Sequence, residues 1–203
     1  MTVRFGVVSA LALATVLAVT GCTTGNDTAG EQGGAVEVSG AAVPATVLSD
    51  LGISTTNPRE IIDALDALPL AERPTNLIAS VTPTELQLQP GESTAHNLAI
   101  PEGQFYLSIA PYVEQTHPCT FHSLTTCVGE MRGADVTLQI TNTATGETVV
   151  DGARTLADNG FTGVWLESGN EYEVTVTADG KTGSQVVTTG PEDPTCLTTL
   201  QIG

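Results

Sequence analysis

Past residue 82 the apolar residues fall on every second position, and this spacing restricts the fold more than any other feature of the chain. Leu86 and Leu88 alternate with polar residues. So do Phe105, Leu107 and Ile109, then Val136, Leu138 and Ile140, then Tyr172, Val174 and Val176. Side chains on a strand point to opposite faces in turn, so a period of two gives each strand one face for a core and one for water. Turn formers separate the runs: Pro90-Gly91, Pro101-Glu102-Gly103, Thr145-Gly146, Asn159-Gly160 and Asp179-Gly180. Short alternating strands punctuated in this way predict a mainly β fold, an antiparallel β-sandwich-like domain over residues 82–203.

A short helical segment is expected before it, over residues 43–81. Asn57 can act as N-cap, with Pro58 at the first helical position and Glu60 at the third. Ile61, Ile62, Leu65 and Leu68 then form one apolar stripe, and Pro69 ends it. Such a stripe packs on its own core or, as the alternative, on a second copy, which makes a homodimer a candidate assembly. Residues 22–42 are Gly, Ser, Thr and Ala with a few acids. They cannot build a core and are expected to form a flexible tether.

The N-terminus reads MTVRFGVVSALALATVLAVTGC over residues 1–22. One cation, Arg4, precedes a small-apolar run too short and too lightly flanked for a membrane span, the pattern of a secretory signal over 1–21. Its end, Val19-Thr20-Gly21-Cys22, resembles a bacterial lipobox. That resemblance implies cleavage before Cys22, lipid attachment to it, and an extracytoplasmic protein held at the bacterial cell membrane by lipid alone. An ordinary secretion signal with a chance cysteine is the alternative. Cleavage removes one cation and no acid, so the net charge moves from −17 to −18. With 23 acids against 6 Lys and Arg, the chain lacks the basic stripe that nucleic acid demands. Calcium-loop, nucleophile-elbow and phosphate-loop motifs are absent from the sequence.

The chain has four cysteines and three histidines, and the stretch THPCTFHSLTTC, residues 116–127, holds two of each. It lies between the predicted strands FYLSIAPY and ADVTLQIT, on a rim loop of the kind that carries ligands and reactive groups. With Cys22 assigned to lipid, Cys119, Cys127 and Cys196 remain. Cys196, in PEDPTCLTTLQIG, would head a strand face shared with Leu200 and Ile202 and could meet the loop across the sheet. Thiolates with imidazole suit Cu(I) or Zn(II), and a nearby imidazolium or metal holds a thiol in its thiolate form. Spacing alone leaves three readings open: one disulfide plus a buried cysteine, a metal site, and a thiol redox centre. A zinc-binding domain belongs to the second, although no C-x2-C pair occurs. A catalytic Cys–His pair lacks any sign of an oxyanion hole. A blue-copper site with Met131 as axial ligand has the wrong residue order. His96 lies outside the cluster and is expected at the surface.

Three stretches carry a family resemblance: FYLSIAPYVEQTHPCTFHSLTTCVGE (105–130), RTLADNGFTGVWL (154–166) and TGPEDPTCLTTLQ (189–201). Together they resemble the CueP family of extracytoplasmic copper-binding proteins, from about residue 57 to the C-terminus. The H-x-C-x2-H-x4-C loop and the distant D-P-T-C-L-T-T-L occur in the family's order. The resemblance implies copper binding in the periplasm or at the cell surface, copper tolerance, and donation of copper to exported copper-dependent enzymes. It also implies a cupric reductase activity, in which the cysteines convert Cu(II) to Cu(I). Cys119, Cys127 and Cys196 match the family's three cysteines, and His117 and His122 its loop histidines. Two thiols that join in a disulfide release two electrons, enough for two Cu(II), so repeated turnover calls for an outside thiol reductant. The alternative without copper is a disulfide-stapled surface interaction module. A lipid anchor departs from the soluble periplasmic members and bears on diffusion to a client, not on copper binding.

Overall fold

The computed structural model describes residues 45–92 and 94–203. The expected signal, Cys22 and the tether lie outside the described residues. No helix among the described residues is long and apolar enough to cross a membrane.

Helix α1 (Ala45–Asp50) leads to α2 (Pro58–Asp66) and a 3-10 turn at Leu70–Glu72. Asn57 caps α2: its side-chain oxygen accepts the Arg59 N–H at 3.0 Å. Such a cap contributes about 1 kcal/mol over alanine. Ile61, Ile62 and Leu65 are fully buried, and Leu68 packs beside them. Burying each such side chain stabilises by about 1.5–3 kcal/mol. The stripe meets Leu77, Ala79, Val81, Leu86 and Leu88 of the same chain. Its apolar face is therefore used within the domain.

Those residues belong to the first sheet. It runs β3 (His96–Ala99), β2 (Glu85–Pro90), β1 (Leu77–Val81), β5 (His122–Ser123). The β region thus opens at Leu77, ahead of the expected boundary at 82, because Leu77, Ala79 and Val81 already alternate inward. The second sheet has the order β10 (Lys181–Thr188), β9 (Glu171–Ala178), β6 (Asp135–Asn142), β7 (Thr148–Thr155). The third runs β11 (Cys196–Leu197), β4 (Gln104–Ile109), β8 (Thr162–Glu167). Sheets two and three face each other across the main core. Val136, Leu138, Ile140, Val174 and Val176 meet Phe105, Leu107, Ile109, Val164 and Leu166 there. This is the mainly β, antiparallel, sandwich-like architecture with a helical segment before it.

Two departures matter for the site. Strand β4 is buried on both faces: Phe105, Leu107 and Ile109 enter the main core, while Tyr106 enters the helix-facing core. Strand β11 pairs with β4 in parallel, Cys196 opposite Ser108 and Leu197 opposite Ile109. The expectation that Cys196 shares a face with Leu200 and Ile202 is corrected here. Leu197, Leu200 and Ile202 belong to the main core, whereas Cys196 packs with Ala110 and Phe161. The strand is only two residues long, so alternation does not carry from Cys196 to Leu200.

Candidate metal centre

The 116–127 stretch is held from three directions. His122 and Ser123 pair with β1, Val81 opposite His122. The Leu124 N–H donates to Ala79 O at 2.8 Å, and the turn that follows brings the Cys127 N–H onto Ser123 O at 3.1 Å. Beyond Cys127, Gly129 N–H donates to Asn159 O at 2.7 Å. Gly129 and Gly160 lie backbone against backbone, and a Cβ on Gly160, which has φ of +80°, would stand 2.8 Å from Gly129 O. Both positions therefore require glycine. The third attachment is the C-terminal segment. Thr195 N–H donates to Thr120 O at 3.0 Å, Thr195 Oγ1 accepts from His122 N–H at 3.1 Å, and Thr116 Oγ1 donates to Thr198 O. These bonds on both sides of Cys196 set it beside the loop.

The ligand atoms form two overlapping groups. His117, Cys119 and Cys127 make one, and His122, Cys127 and Cys196 the other; within each, the ligand atoms lie within 4.8 Å of one another. Cys119 and Cys127 have their Sγ atoms 3.6 Å apart, and Cys196 Sγ stands 3.8 Å from His122 Nδ1. Bonds of about 2.0–2.3 Å to one ion in a planar three-fold array place ligands about 3.5–4 Å from each other. Both separations match that spacing. The first group is partly exposed, whereas His122 is 0% and Cys196 5% exposed. All three described cysteines are free thiols.

The Cys119 thiol donating to the Cys127 sulfur is the largest cause, followed by Cys196 and His122, and together they hold the Cys127 thiol far below its ordinary value. The Ser123 N–H also reaches its Sγ at 3.4 Å. Hydrogen bonding to that thiolate pushes the Cys119 thiol up to about 12, and the neighbouring sulfurs, with burial, raise Cys196 as well. The surroundings thus favour the thiolate form at Cys127 over Cys119 and Cys196. Arg73 places its guanidinium beside it, donating from Nη1 to Cys127 O at 2.7 Å.

The family model described as "Periplasmic copper-binding protein CueP" matches residues 60–201. The chain belongs to the CueP family. A solved structure, "Crystal Structure of S.CueP", superposes with a TM-score of 0.73 at 36% identity, covering 80% of this chain and 99% of that one. No curated protein matches. The family is one of periplasmic, and so extracytoplasmic, copper-binding proteins.

In this CueP-family chain all five residues singled out by sequence stand together. His96 does not join them: it sits partly exposed on β3, separated from β5 by two strands. Met131 packs against the main core. One functional residue escaped the sequence. Asp66, the last residue of α2, is 7% exposed and accepts three hydrogen bonds. They come from Tyr106 Oη at 2.6 Å, Asn159 Nδ2 at 3.0 Å and His122 Nε2 at 3.0 Å. Burial at a helix C-terminus disfavours a carboxylate. Burial is the largest influence, yet His122, Tyr106 and Arg73 outweigh it and hold Asp66 below its usual range. His122 is likewise opposed by burial but raised by Asp66 and Cys127. Gly163 in β8 makes the network feasible, because any Cβ there would occupy the space of the Tyr106 hydroxyl. With Nε2 on the carboxylate, Nδ1 of His122 is the atom facing Cys196. The one available hint was an acid beside Leu65 on the buried edge of an apolar stripe.

Proposed function

We propose that this protein is an extracytoplasmic copper-binding lipoprotein for copper tolerance, which holds Cu(I) on Cys119, Cys127, Cys196, His117 and His122 and reduces Cu(II) with its thiols. The observation that carries this is the meeting of three sulfurs and two imidazoles at ligand spacing, in a chain of the CueP family. Soft thiolates select the reduced state of copper. Cys119 and Cys127 supply the electrons: the Cys119 thiol and the Cys127 thiolate join in one disulfide and release one proton and two electrons, and two Cu(II) become two Cu(I). Their sulfurs are 3.6 Å apart and must close to about 2.05 Å. Cys196 and the histidines keep a Cu(I) binding set in the oxidised protein. An external thiol reductant resets the pair, and an exported copper-dependent enzyme is the recipient of the metal.

The reduced protein, freed of other reductants and given Cu(II) under anaerobic conditions, is expected to form Cu(I) in proportion to its thiols and then stop. Colorimetric Cu(I) chelation measures the yield. Cys119→Ser should cut it by more than half. A Cys119→Ser/Cys127→Ser/Cys196→Ser protein that reduces Cu(II) as well as the wild type would remove the activity from these thiols.

Proton competition gives a second check. Cu(I) must displace protons from Cys119 and Cys196, whose thiols are raised, so affinity should increase with pH. Each proton released steepens the dependence by about tenfold per pH unit. Chelator competition at several values between pH 6 and 8 reads the slope, and a flat profile contradicts thiolate ligation.

Lipid attachment rests on Val19-Thr20-Gly21-Cys22. Cys22→Ala is expected to release the protein from membranes or to leave it unprocessed, with copper affinity of the soluble domain unaltered. Membrane fractions from cells expressing each form decide it; equal retention of both argues against lipid at Cys22.

A further inference from the structure

The two ligand groups share one atom, Cys127 Sγ, and differ in everything else. In the His122–Cys127–Cys196 group, His122 and Cys196 are buried and Cys127 is half-buried. His122 is fixed through Nε2 by Asp66, and Asp66 is fixed by Tyr106 and Asn159. Cys196 lies between Thr195 and Thr198, both tied to the loop. The His117–Cys119–Cys127 group is partly exposed. Among the described residues the His117 ring has no hydrogen-bond partner, and its ring contact is an edge of Phe161 at 6.5 Å. Its side chain borders an open hollow of about 240 Å³ that also contains Glu130. Phe161, fully buried, packs at 4.6 Å from the His122 ring and closes the inner group with an apolar wall.

Ligands held in place before binding lose little freedom when the ion arrives, so they retain it. A ligand free to turn captures and releases faster. A thiolate common to both sets lets an ion change partners without ever being uncoordinated. We infer that the cluster is two unequal Cu(I) sites in series: His117, Cys119 and Cys127 form the exchange site that faces solvent, and His122, Cys127 and Cys196 form the holding site. The ion enters on the outer group and passes inward on Cys127 as His122 and Cys196 replace His117 and Cys119. Release follows the same steps in reverse. One acid, Glu130, lines the outer hollow, its carboxylate also accepting from the Val113 and Glu114 N–H groups, and the net charge of −17 over the whole chain favours approach of a cation. A second hollow, of about 260 Å³, touches Cys119 and Cys196 from the side of β10 and is the competing route.

This inference rests on the copper reading above, and its test separates the two. The reduced protein is loaded with one equivalent of Cu(I) and the histidine ring nitrogens are followed by 15N NMR. His122 Nδ1 should move, with the His117 nitrogens shifting far less. Stopped-flow exchange with a competing Cu(I) chelator is then compared for the wild type, His117→Ala and His122→Ala. His117→Ala should slow uptake and release together, severalfold each, so that the rates change more than the affinity. His122→Ala should instead speed release and lower affinity by about tenfold or more. The division into two sites is overturned if His117 is the residue whose nitrogens shift at one equivalent. It is equally overturned if His117→Ala exchanges as fast as the wild type, which would put the route through the second hollow. If the wild type binds no Cu(I), the copper reading itself falls.

Discussion

Cys127→Ser is expected to lose tight Cu(I) binding and most Cu(II) reduction at once, a larger effect than loss of either other cysteine. Three roles meet in this side chain. It belongs to both ligand groups, so neither keeps three ligands without it. Its thiol is held far below its ordinary value, and the thiolate is the form that both binds metal and attacks to form a disulfide. Its sulfur is also the one nearest Cys119, at 3.6 Å. Serine keeps the size but is neither a soft ligand nor a reductant. Cys119→Ser and Cys196→Ser each leave one group intact, and each should retain measurable Cu(I) affinity. Chelator competition on the three single variants gives the ranking. The fold should survive, because the loop is held by the β1 pairing, Gly129 and Thr195 rather than by sulfur. Circular dichroism and thermal unfolding of the metal-free proteins check that point. Cu(I) affinity of Cys127→Ser equal to that of Cys119→Ser would show that the two groups do not share a ligand.

Asp66 has the second large effect, through a residue that touches no sulfur. Asp66→Asn keeps the shape but allows an amide N–H to face His122 Nε2. The ring then favours carrying its proton on Nδ1, the atom that faces Cys196. Partners of this kind behind a ligating histidine are worth about 10–100-fold in metal affinity. A drop of that size is expected for Asp66→Asn, together with a change in the 15N signature of the His122 tautomer in the metal-free protein. Asp66→Ala should behave differently. It leaves Tyr106, Asn159 and a buried His122 without their acceptor, and the domain should lose about 3–5 kcal/mol of stability. Urea unfolding separates the two variants. Wild-type Cu(I) affinity in a folded Asp66→Asn protein would reduce Asp66 to a structural residue.

The elements that local chemistry controls were legible from the residues alone. Asn57, Pro58 and Glu60 start α2 because capping involves only neighbours, and Ile61, Ile62 and Leu65 set its buried face. Alternation at 86–88, 105–109, 136–140 and 172–176 marked strands for the same reason. Strands β7 and β10 were not marked, since their Thr- and Gly-rich runs are exposed or half-exposed and carry a weak apolar signal. The start of β1 was missed because Leu77 and Ala79 follow closely on a segment whose pattern is helical.

The sequence by itself determined which atoms could bind metal: the three cysteines and two loop histidines were countable, and their types select soft chemistry. Tertiary structure alone decided how those atoms divide. The parallel pairing of a two-residue strand turns Cys196 away from Leu200 and Ile202 and toward His122, 74 residues distant. The end of α2 brings Asp66 onto the same ring from 56 residues away, converting a charge on a short helix into the group that orients a ligand. No periodicity or spacing encodes such contacts. They arise because burying the α2 stripe on β1 and sandwiching β4 between two cores leave one place where the helix end, the loop and the C-terminal segment can meet, and there the buried polar groups must satisfy one another.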